Sequence, residues 1–306
     1  MLSFVLRRAG RLLLTVLLIS TLVFFLIRIL PGDPAEVVAG FEASDAELAE
    51  IRERLGTDEP VLTQYIGWLT DLLKLDLGRS FFSNEPVRGL IFARLPVTLL
   101  LAGLAFLFAL AVAVPLGVIS AVRRGTFIDY VGVVYSQLGM AIPGFWLGIL
   151  LLLVFSVKLG IMPLFGADSL VHFVLPALAL GVSRSAVLVR IVRNSAIQEL
   201  DREYVLTAES KGLAESTIHY RHLLRNALLP VITIAGIQLG YLLGGTIIIE
   251  QVFSLPGLGR LFLSGIYDRD FPVIQASVVF LAVVFSLVNF TADVLYSMAN
   301  PRIRVG

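Results

Sequence analysis

The sequence predicts an all-α, polytopic membrane protein with about six transmembrane helices. Hydrophobic residues make up 57% of the 306 residues, charged residues make up only 15%, and the mean hydropathy is +0.89. A soluble domain carries roughly 25% charged residues, so this chain has too little charge to keep its surface dissolved in water. Apolar stretches of about 20 residues, long enough to cross a bilayer core of ~30 Å as helices, recur along the chain.

Six apolar stretches are predicted to span the membrane, because lipid satisfies backbone groups only when they are paired within a helix. They are Leu12–Leu30, Val97–Val122, Tyr130–Phe155, Val171–Val192, Ala227–Ile249 and Val273–Met298. The fourth is the most polar, since it contains Pro176, Arg184 and Ser185, and it needs neighbouring helices to cover these groups. Pro143 in the third predicts a bend there.

Basic residues in the short connecting segments predict that both termini are cytoplasmic. If the chain crosses the membrane six times, most of the basic residues near the ends of the spans lie on the same side. They are a basic cluster between the fourth and fifth spans, Arg7, Arg8, Arg11, Arg123, Arg124, Arg302 and Arg304. Cytoplasmic loops are enriched in such residues, whereas the long first loop on the opposite side is acidic. No small-x-small cleavage site follows the first span, which favours an uncleaved anchor over a secretory signal.

Four parts of the chain follow from these spans. They are an N-terminal transmembrane helix (1–30), an external loop with short helices (31–96), a core of five transmembrane helices (97–300) that includes a cytoplasmic loop at 198–230, and a tail (301–306). Helical spacing predicts external helices at Asp45–Leu55 and Val61–Leu73. The external loop fits either a solvated cap or a contact surface for an external partner.

The residues offer little for catalysis or metal binding. Cysteine is absent, and the histidines are His172, His219 and His222. The last two lie three residues apart, but no carboxylate follows at ligand spacing and Arg221 and Arg225 add positive charge, so no metal site is predicted. The chain also has no GxxxxGK[ST] phosphate-binding loop and no serine–histidine–acid arrangement. No catalytic role is expected for this chain, nor ATP binding through such a loop.

Polar residues within the spans are mostly uncharged. Gln137, Gln238 and Asn289 are candidates for lining a translocation path, or they bond to neighbouring helices. Ion-coupled transporters usually carry acidic residues near the midplane, and this chain has almost none there. Arg28 and Glu250 lie near the outer ends of their spans, where snorkelling or a local pair accounts for them.

Glycine recurs every four residues in the fifth span, at Gly236, Gly240 and Gly244. Such a stripe lets another helix approach closely. Packing within this subunit, a subunit interface and a moving wall of the pathway all fit the pattern.

The loop at 198–230 is the most informative segment. A mixed-charge helix is predicted from Asp201, as its N-cap, to Lys211, and Gly212 then ends it. A second, basic helix is predicted over Leu213–Arg225. A helix–glycine–helix unit that protrudes into the cytoplasm is a knob that another protein can hold, although an ordinary solvated loop also fits.

This loop resembles the EAA loop in the membrane permeases of bacterial ABC importers, and more narrowly the peptide/nickel branch. The residues that carry the resemblance are Asp201, Tyr204, Thr207-Ala208, Lys211-Gly212-Leu213, Arg221-His222 and Leu224-Arg225-Asn226-Ala227-Leu228-Leu229-Pro230. Motifs elsewhere agree with that branch, namely Pro31-Gly32-Asp33-Pro34, Leu77-Gly78-Arg79-Ser80, Glu250-x-x-Phe253-x-x-Pro256-Gly257-x-Gly259 and Arg269-Asp270-x-Pro272. The chain departs from the general pattern at Leu206, where the superfamily has glutamate, and in the later position of Leu229-Pro230.

The resemblance implies a type I ABC importer permease in the bacterial plasma (inner) membrane. It implies a second homologous permease, two ABC ATPase subunits and an external or periplasmic substrate-binding protein as partners, alongside the lipid bilayer and without nucleic acid. ATP and Mg would be bound by the ATPases, with no cofactor on this chain. The residues expected to couple it to the ATPases are Tyr204, Thr207, Ala208, Lys211, Gly212, Leu213, Arg221 and Arg225.

Members of that branch carry dipeptides, oligopeptides, glutathione or nickel. The segment from Leu164 to Ser169, with His172, Pro176 and the Asn300-Pro301 ending, looks more like the dipeptide and glutathione members. Nickel import by the same architecture is the alternative, followed by an ion-coupled secondary transporter.

Overall fold

The computed structural model describes residues 2–29, 33–40, 43–218 and 223–299. In chain order its helices are α1 (Leu2–Ile29), α2 (Pro34–Ala39), α3 (Asp45–Leu55), α4 (Val61–Leu73), α5 (Val87–Val122), α6 (Phe127–Ala141), α7 (Gly144–Leu151), α8 (Val174–Leu200), α9 (Glu203–Ser210), α10 (Glu215–Thr217), α11 (Leu224–Val252), α12 (Leu258–Tyr267) and α13 (Phe271–Ala299). A π-helical turn (Leu152–Lys158) extends α7, and a 3₁₀ turn (Leu170–Phe173) precedes α8.

Among the described residues, five helices are long and apolar enough to cross a membrane. These segments are Leu6–Ile29, Val87–Val122, Leu170–Leu200, Ile234–Val252 and Phe271–Ala292. A bent helix pair raises the number to six when it is taken as one span. The predicted polytopic all-α architecture is therefore confirmed.

The third span is broken into two helices, which corrects the continuous span predicted over Tyr130–Phe155. The axes of α6 and the α7 segment differ by 98°. Ile142, between them, has an extended backbone (φ −83°, ψ 121°). Its extended conformation follows from Pro143, because a proline ring disfavours helical geometry at the residue before it. The predicted bend is thus a complete break in the helix.

The second span begins earlier than predicted. Helix α5 starts at Val87 rather than Val97, and it continues without interruption through Pro96 and Pro115. The sequence prediction stopped short because Arg94 interrupts the apolar run, but its guanidinium bonds to the carbonyl oxygen of Leu90 one turn earlier. A basic residue near the end of a span therefore did not end the helix.

The two external helices, α3 and α4, have the bounds predicted for them. Ser44 and Glu47 form a reciprocal capping box at the start of α3, and Gly56 ends that helix in the left-handed region. The backbone N–H of Ser44 also lowers the pKa of Glu47. Asp33 caps α2 and pairs with Arg52 of α3 at 2.6 Å, which fixes these two helices to each other.

Two of the separated sequence motifs meet at the outer end of α13. Asp270, directly before that helix, accepts hydrogen bonds from the Ser80 hydroxyl and from the backbone N–H of Phe81. The side chain of Asp270 is buried. This contact ties the last part of the external loop to the final span.

Helix α8 is the central element of the bundle. Of the five apolar spans it is the most deeply buried, and it packs against α5, α6, α7 and α11. Ser185 is fully buried and its hydroxyl bonds to that of Tyr135 on α6. Glycines allow the close approach, since a Cβ at Gly181 would collide with Phe108, and one at Gly117 would collide with Val192. The predicted need for protein cover is met at Pro176 and Ser185, whereas Arg184 stays partly exposed.

Glu250 is fully buried, so of the two expectations for it, snorkelling or a local pair, snorkelling is wrong. Its carboxylate accepts a hydrogen bond from the Thr98 hydroxyl at 2.7 Å and one from the backbone N–H of Arg260 at 3.1 Å. A Cβ at Gly257 would overlap this carboxylate, and one at Gly259 would overlap the backbone of α11. The glycines of the Glu250 motif thus make room for the carboxylate that joins α5, α11 and α12.

Replacing Thr98 with valine should destabilise the outer end of the bundle by roughly 1–3 kcal/mol, because two buried partners would lose their bonds. The Thr98 hydroxyl donates to Glu250 and accepts from the backbone N–H of Leu258 at 2.8 Å. Thermal unfolding in detergent measures the change. Thr291→Val is the matched control, since that hydroxyl is exposed and bonds within its own helix. Equal midpoints for the two variants would contradict the prediction.

Asp129 and Arg193 join the cytoplasmic ends of α6 and α8. The guanidinium donates to both carboxylate oxygens, at 2.6 and 2.8 Å, and the Asp129 side chain is 8% exposed. Asp129 also accepts from the backbone N–H of Gly125 at 3.0 Å, which closes the short turn between α5 and α6.

Asp129→Asn should lower the stability of the folded protein by about 1.5–3 kcal/mol, the usual worth of a hydrogen bond to a charged group. The control is Asp71→Asn, which breaks an exposed pair with Lys74 at 3.8 Å and is expected to cause no measurable change. Both are compared by thermal unfolding in the same detergent. An unchanged midpoint for Asp129→Asn would show that Arg193 finds an equally good partner.

Candidate coupling loop and translocation path

The first helix of the cytoplasmic loop is shorter than predicted. Helix α9 begins at Glu203, with Arg202 rather than Asp201 as its N-cap. The backbone N–H of Asp201 bonds to the carbonyl oxygen of Ile197, so Asp201 belongs to the last turn of α8. The predicted capping role of Asp201 is therefore wrong, because the preceding helix runs further than the sequence suggested.

One face of α9 is anchored to the rest of the protein. Val205 and Ala208 are buried against Ile218, with Tyr204 beside them. The Tyr204 hydroxyl donates to the Glu199 carboxylate at the end of α8, at 2.9 Å. Burial raises the pKa of Tyr204 above its usual range, so the phenol stays protonated as the donor. These contacts fix the orientation of α9 relative to α8.

The opposite face of α9 is open. Thr207 and Lys211 are exposed, and so are two apolar side chains, Leu206 at 59% and Leu213 at 41%. The Thr207 hydroxyl bonds back to the carbonyl oxygen of Glu203. Glu203 and Glu209 are exposed as well. The surface thus combines apolar groups with charges of both signs, a composition that suits contact with another protein.

Gly212 ends the α9 segment in a left-handed conformation, with φ +73°. Its N–H bonds to the carbonyl oxygen of Glu209, and that of Leu213 bonds to Ala208. A Cβ added at Gly212 would meet nothing within 4 Å. The need for glycine therefore comes from backbone geometry, not from lack of space.

The second predicted helix of the loop is described only in part. Helix α10 begins at Glu215, two positions after the predicted start, and α11 begins at Leu224. Arg225 is exposed at the beginning of α11. Arg221, His219 and His222 lie outside the described residues.

The three candidate path residues do not share one surface. Gln238 is buried on α11 and faces Arg184 of α8. Asn289 lies beside Gly240, which is two residues further along α11 and so points to the other side of that helix. Gln137 is exposed on α6.

The glycine stripe of α11 divides into packed and open positions. A Cβ at Gly236 would overlap Ala292, and one at Gly240 would lie 2.8 Å from the Phe285 ring, both on α13. A Cβ at Gly244 would meet nothing within 4 Å, and this residue is exposed. The first two glycines allow α11 and α13 to approach, whereas Gly244 has no such role among the residues that the structure describes.

Sequence reasoning treated Arg184 only as a polar group in need of cover. Its guanidinium lies near the middle of the α8 span, donates to Gln238 Oε1 at 3.3 Å and sits 5.8 Å from the centre of the Tyr241 ring. Its Nε has no hydrogen-bond partner among the described residues. A charge inside an apolar span is the sequence signal that could have singled out this position as a candidate.

No group of three or more histidine, cysteine, aspartate or glutamate residues that could hold a metal ion occurs in the described part of the chain. His172 is engaged locally, with its Nδ1 at 3.0 Å from the Ser169 hydroxyl. Arg28, near the outer end of α1, lies over the Phe24 ring and donates to Gln64. Local contacts thus account for Arg28.

Known protein families match both halves of the chain. The pattern of the binding-protein-dependent transport system inner membrane component matches residues 113–305. The pattern of the N-terminal part of such membrane components matches residues 1–102.

Individual relatives are similar over the whole length. The glutathione transport system permease protein GsiC of Salmonella choleraesuis (strain SC-B67) is 42% identical over 304 residues, which cover 99% of both chains. The protein of the same name from Escherichia coli (strain K12) is 41% identical over 305 residues, with the same coverage.

Solved structures share the fold. A chain of the MetNI methionine ABC transporter, in inward-facing conformations, superposes with a TM-score of 0.60 at 21% identity, covering 71% of this chain and 99% of that one. An amino acid ABC transporter gives a TM-score of 0.50 at 21% identity, covering 70% and 94%. The family match, the permease relatives and the apolar spans together describe a multi-pass protein of the bacterial inner membrane. The chain therefore belongs to the family of inner membrane components of binding-protein-dependent transport systems.

Proposed function

We propose that this protein is a permease subunit of an ATP-driven importer for glutathione or related short peptides. The observation that carries the proposal is the identity of 41–42% with glutathione transport permeases along 99% of the chain. Similarity that extends through the external loop, the spans and the cytoplasmic loop favours a common cargo class as well as a common fold.

The transporter would contain two permeases, two ATPases and an external binding protein. This chain has no phosphate-binding loop, so ATP and Mg would be held by the ATPase subunits. A second homologous permease would complete the path between the two sets of spans. Nickel import has less support, because the described residues offer no cluster of metal ligands.

The exposed face of α9 is the proposed contact with an ATPase. Leu206, Thr207, Lys211 and Leu213 would touch that partner, while Tyr204 holds α9 against the end of α8. Closure of the ATPases would displace α9 and bias the spans between inward-facing and outward-facing states. Coupling of this kind requires that the ATPase contact the two states differently.

Gly212→Ala should weaken binding of the ATPase subunits about 5- to 30-fold, since an alanine in the left-handed region costs roughly 1–2 kcal/mol. Gly212→Asn should be milder, because asparagine tolerates that region. Co-purification in mild detergent and ATPase activity of the assembled complex measure the effect.

Gly125→Ala is the matched control for this prediction. Gly125 lies in another cytoplasmic turn with φ +77°, and a Cβ there also meets nothing within 4 Å. Its alanine variant carries the same backbone strain outside the coupling loop. ATPase binding reduced equally in both variants would refute a specific role for Gly212.

The cargo is tested by reconstituting the complete transporter in proteoliposomes with its binding protein. We expect uptake of labelled glutathione or dipeptide that requires ATP on the ATPase side and stops when the ATPases are disabled. Uptake driven by an ion gradient without ATP would refute the importer assignment. ATP-dependent uptake of nickel but not of glutathione or peptides would refute the cargo.

A further inference from the structure

Arg184 is a cation without a described counter-charge in the middle of a membrane span. Its contacts among the described residues are with the uncharged Gln238 and Tyr241 side chains, and its Nε lacks a hydrogen-bond partner. Asp129 and Glu250 are already engaged with Arg193 and Thr98, and the side chain of Asp293 is outside the described ones. An ionised group within a bilayer span is costly and is retained where it has a partner or a task.

The surroundings of Arg184 leave its guanidinium loosely held. Its one described hydrogen bond, to Gln238, is 3.3 Å long, and the Tyr241 ring lies 5.8 Å away. A Cβ at Gly245 would lie 3.7 Å from its Nη2, an ordinary van der Waals contact, so α11 passes close to the guanidinium without bonding to it there. A single long bond allows the group to turn toward a better acceptor.

The surface beside Arg184 is exposed at the depth of the membrane core. Tyr241 is 57% exposed, Gly244 has open space around its Cβ position, and Arg184 itself is partly exposed. Lipid chains offer no acceptor for a guanidinium, so this surface must face water, cargo or protein. Its position on α8 and α11 therefore suits the wall of a translocation path.

We infer that Arg184 binds a carboxylate group of the transported molecule as it crosses the membrane. A guanidinium presents its N–H groups as a planar fork that matches a carboxylate with two hydrogen bonds. Glutathione and peptides carry a free carboxylate, so this inference rests on the proposed function. Gln238 would hold the guanidinium in place until the cargo arrives.

The test uses the complete transporter in proteoliposomes, with three cargoes. They are glutathione and two analogues, each with one of its two carboxylates converted to an amide. All are supplied at concentrations that saturate the binding protein. We expect Arg184→Gln to lower glutathione uptake about tenfold, as the loss of a charge-assisted bond predicts. One of the two analogues lacks the carboxylate that Arg184 binds. The wild-type transporter should take up that analogue slowly, and Arg184→Gln should not lower its uptake further.

Three further variants sharpen the result. Gln238→Glu places a carboxylate next to Arg184. This variant should lower glutathione uptake as much as Arg184→Gln does, because the new carboxylate pairs with the guanidinium and competes with the cargo. Arg184→Lys keeps the charge without the fork and should give intermediate uptake. Arg94→Gln, at the outer end of α5, removes an arginine that bonds only to its own helix among the described contacts and should leave uptake unchanged.

The outcomes separate the two proposals. Uptake of all three cargoes reduced equally by Arg184→Gln would overturn the carboxylate site, as would full glutathione uptake by Gln238→Glu. A third outcome is that the Arg184→Gln complex loses the second permease while Gln238→Glu assembles and transports normally. That result would assign Arg184 to an ion pair with the second permease, and it too would overturn the carboxylate site. Failure of the wild-type transporter to take up glutathione or peptides would contradict the proposed function and the inference together.

Discussion

The structure depends on one constraint, that polar groups inside a bilayer must find partners within the protein. Helix α8 carries the most polar groups of the spans, and α5, α6, α7 and α11 pack against it. Ser185 bonds to α6, Arg193 pairs with Asp129, and Ser195 donates to the backbone at Ala227. The polar groups of α8 thus determine where α5, α6 and α11 pack against it. The same constraint applies to Glu250, whose buried carboxylate bonds to groups on α5 and α12 and so joins these helices to α11.

Elements set by local chemistry were predictable from the sequence. The external helices have the predicted bounds, because Ser44 and Gly56 cap α3 through neighbouring backbone groups. A bend at Pro143 was predicted but a complete break was not, since a proline disturbs helical geometry without fixing the direction that follows. Glu250 was misjudged, because its partner Thr98 lies 152 residues away and no local pattern reports such a contact.

In the candidate site, too, features set by neighbouring residues were predictable, and features set by distant contacts were not. Gly212 was recognisable because a glycine between two helical patterns indicates a left-handed turn. Asp201 was misassigned because the sequence alone did not show where α8 stops, and capping depends on that point. The path residues failed to converge because Gln238 and Asn289 lie on different sides of α11, a relation that requires the helix orientation. Arg184 became a candidate site residue only once the structure showed that its Nε has no hydrogen-bond partner among the described residues.

The contact between Tyr204 and Glu199 has a mechanical consequence. Glu199 and Arg184 lie on one uninterrupted helix, separated by about 22 Å at the usual rise of ~1.5 Å per residue. A force on α9 that preserves this contact therefore tilts or shifts α8 as a stiff rod. The guanidinium of Arg184 would then change its position in the membrane without any side chain between the two residues changing rotamer. A displacement applied at the cytoplasmic end of α8 would thus be transmitted directly to the charge in the membrane.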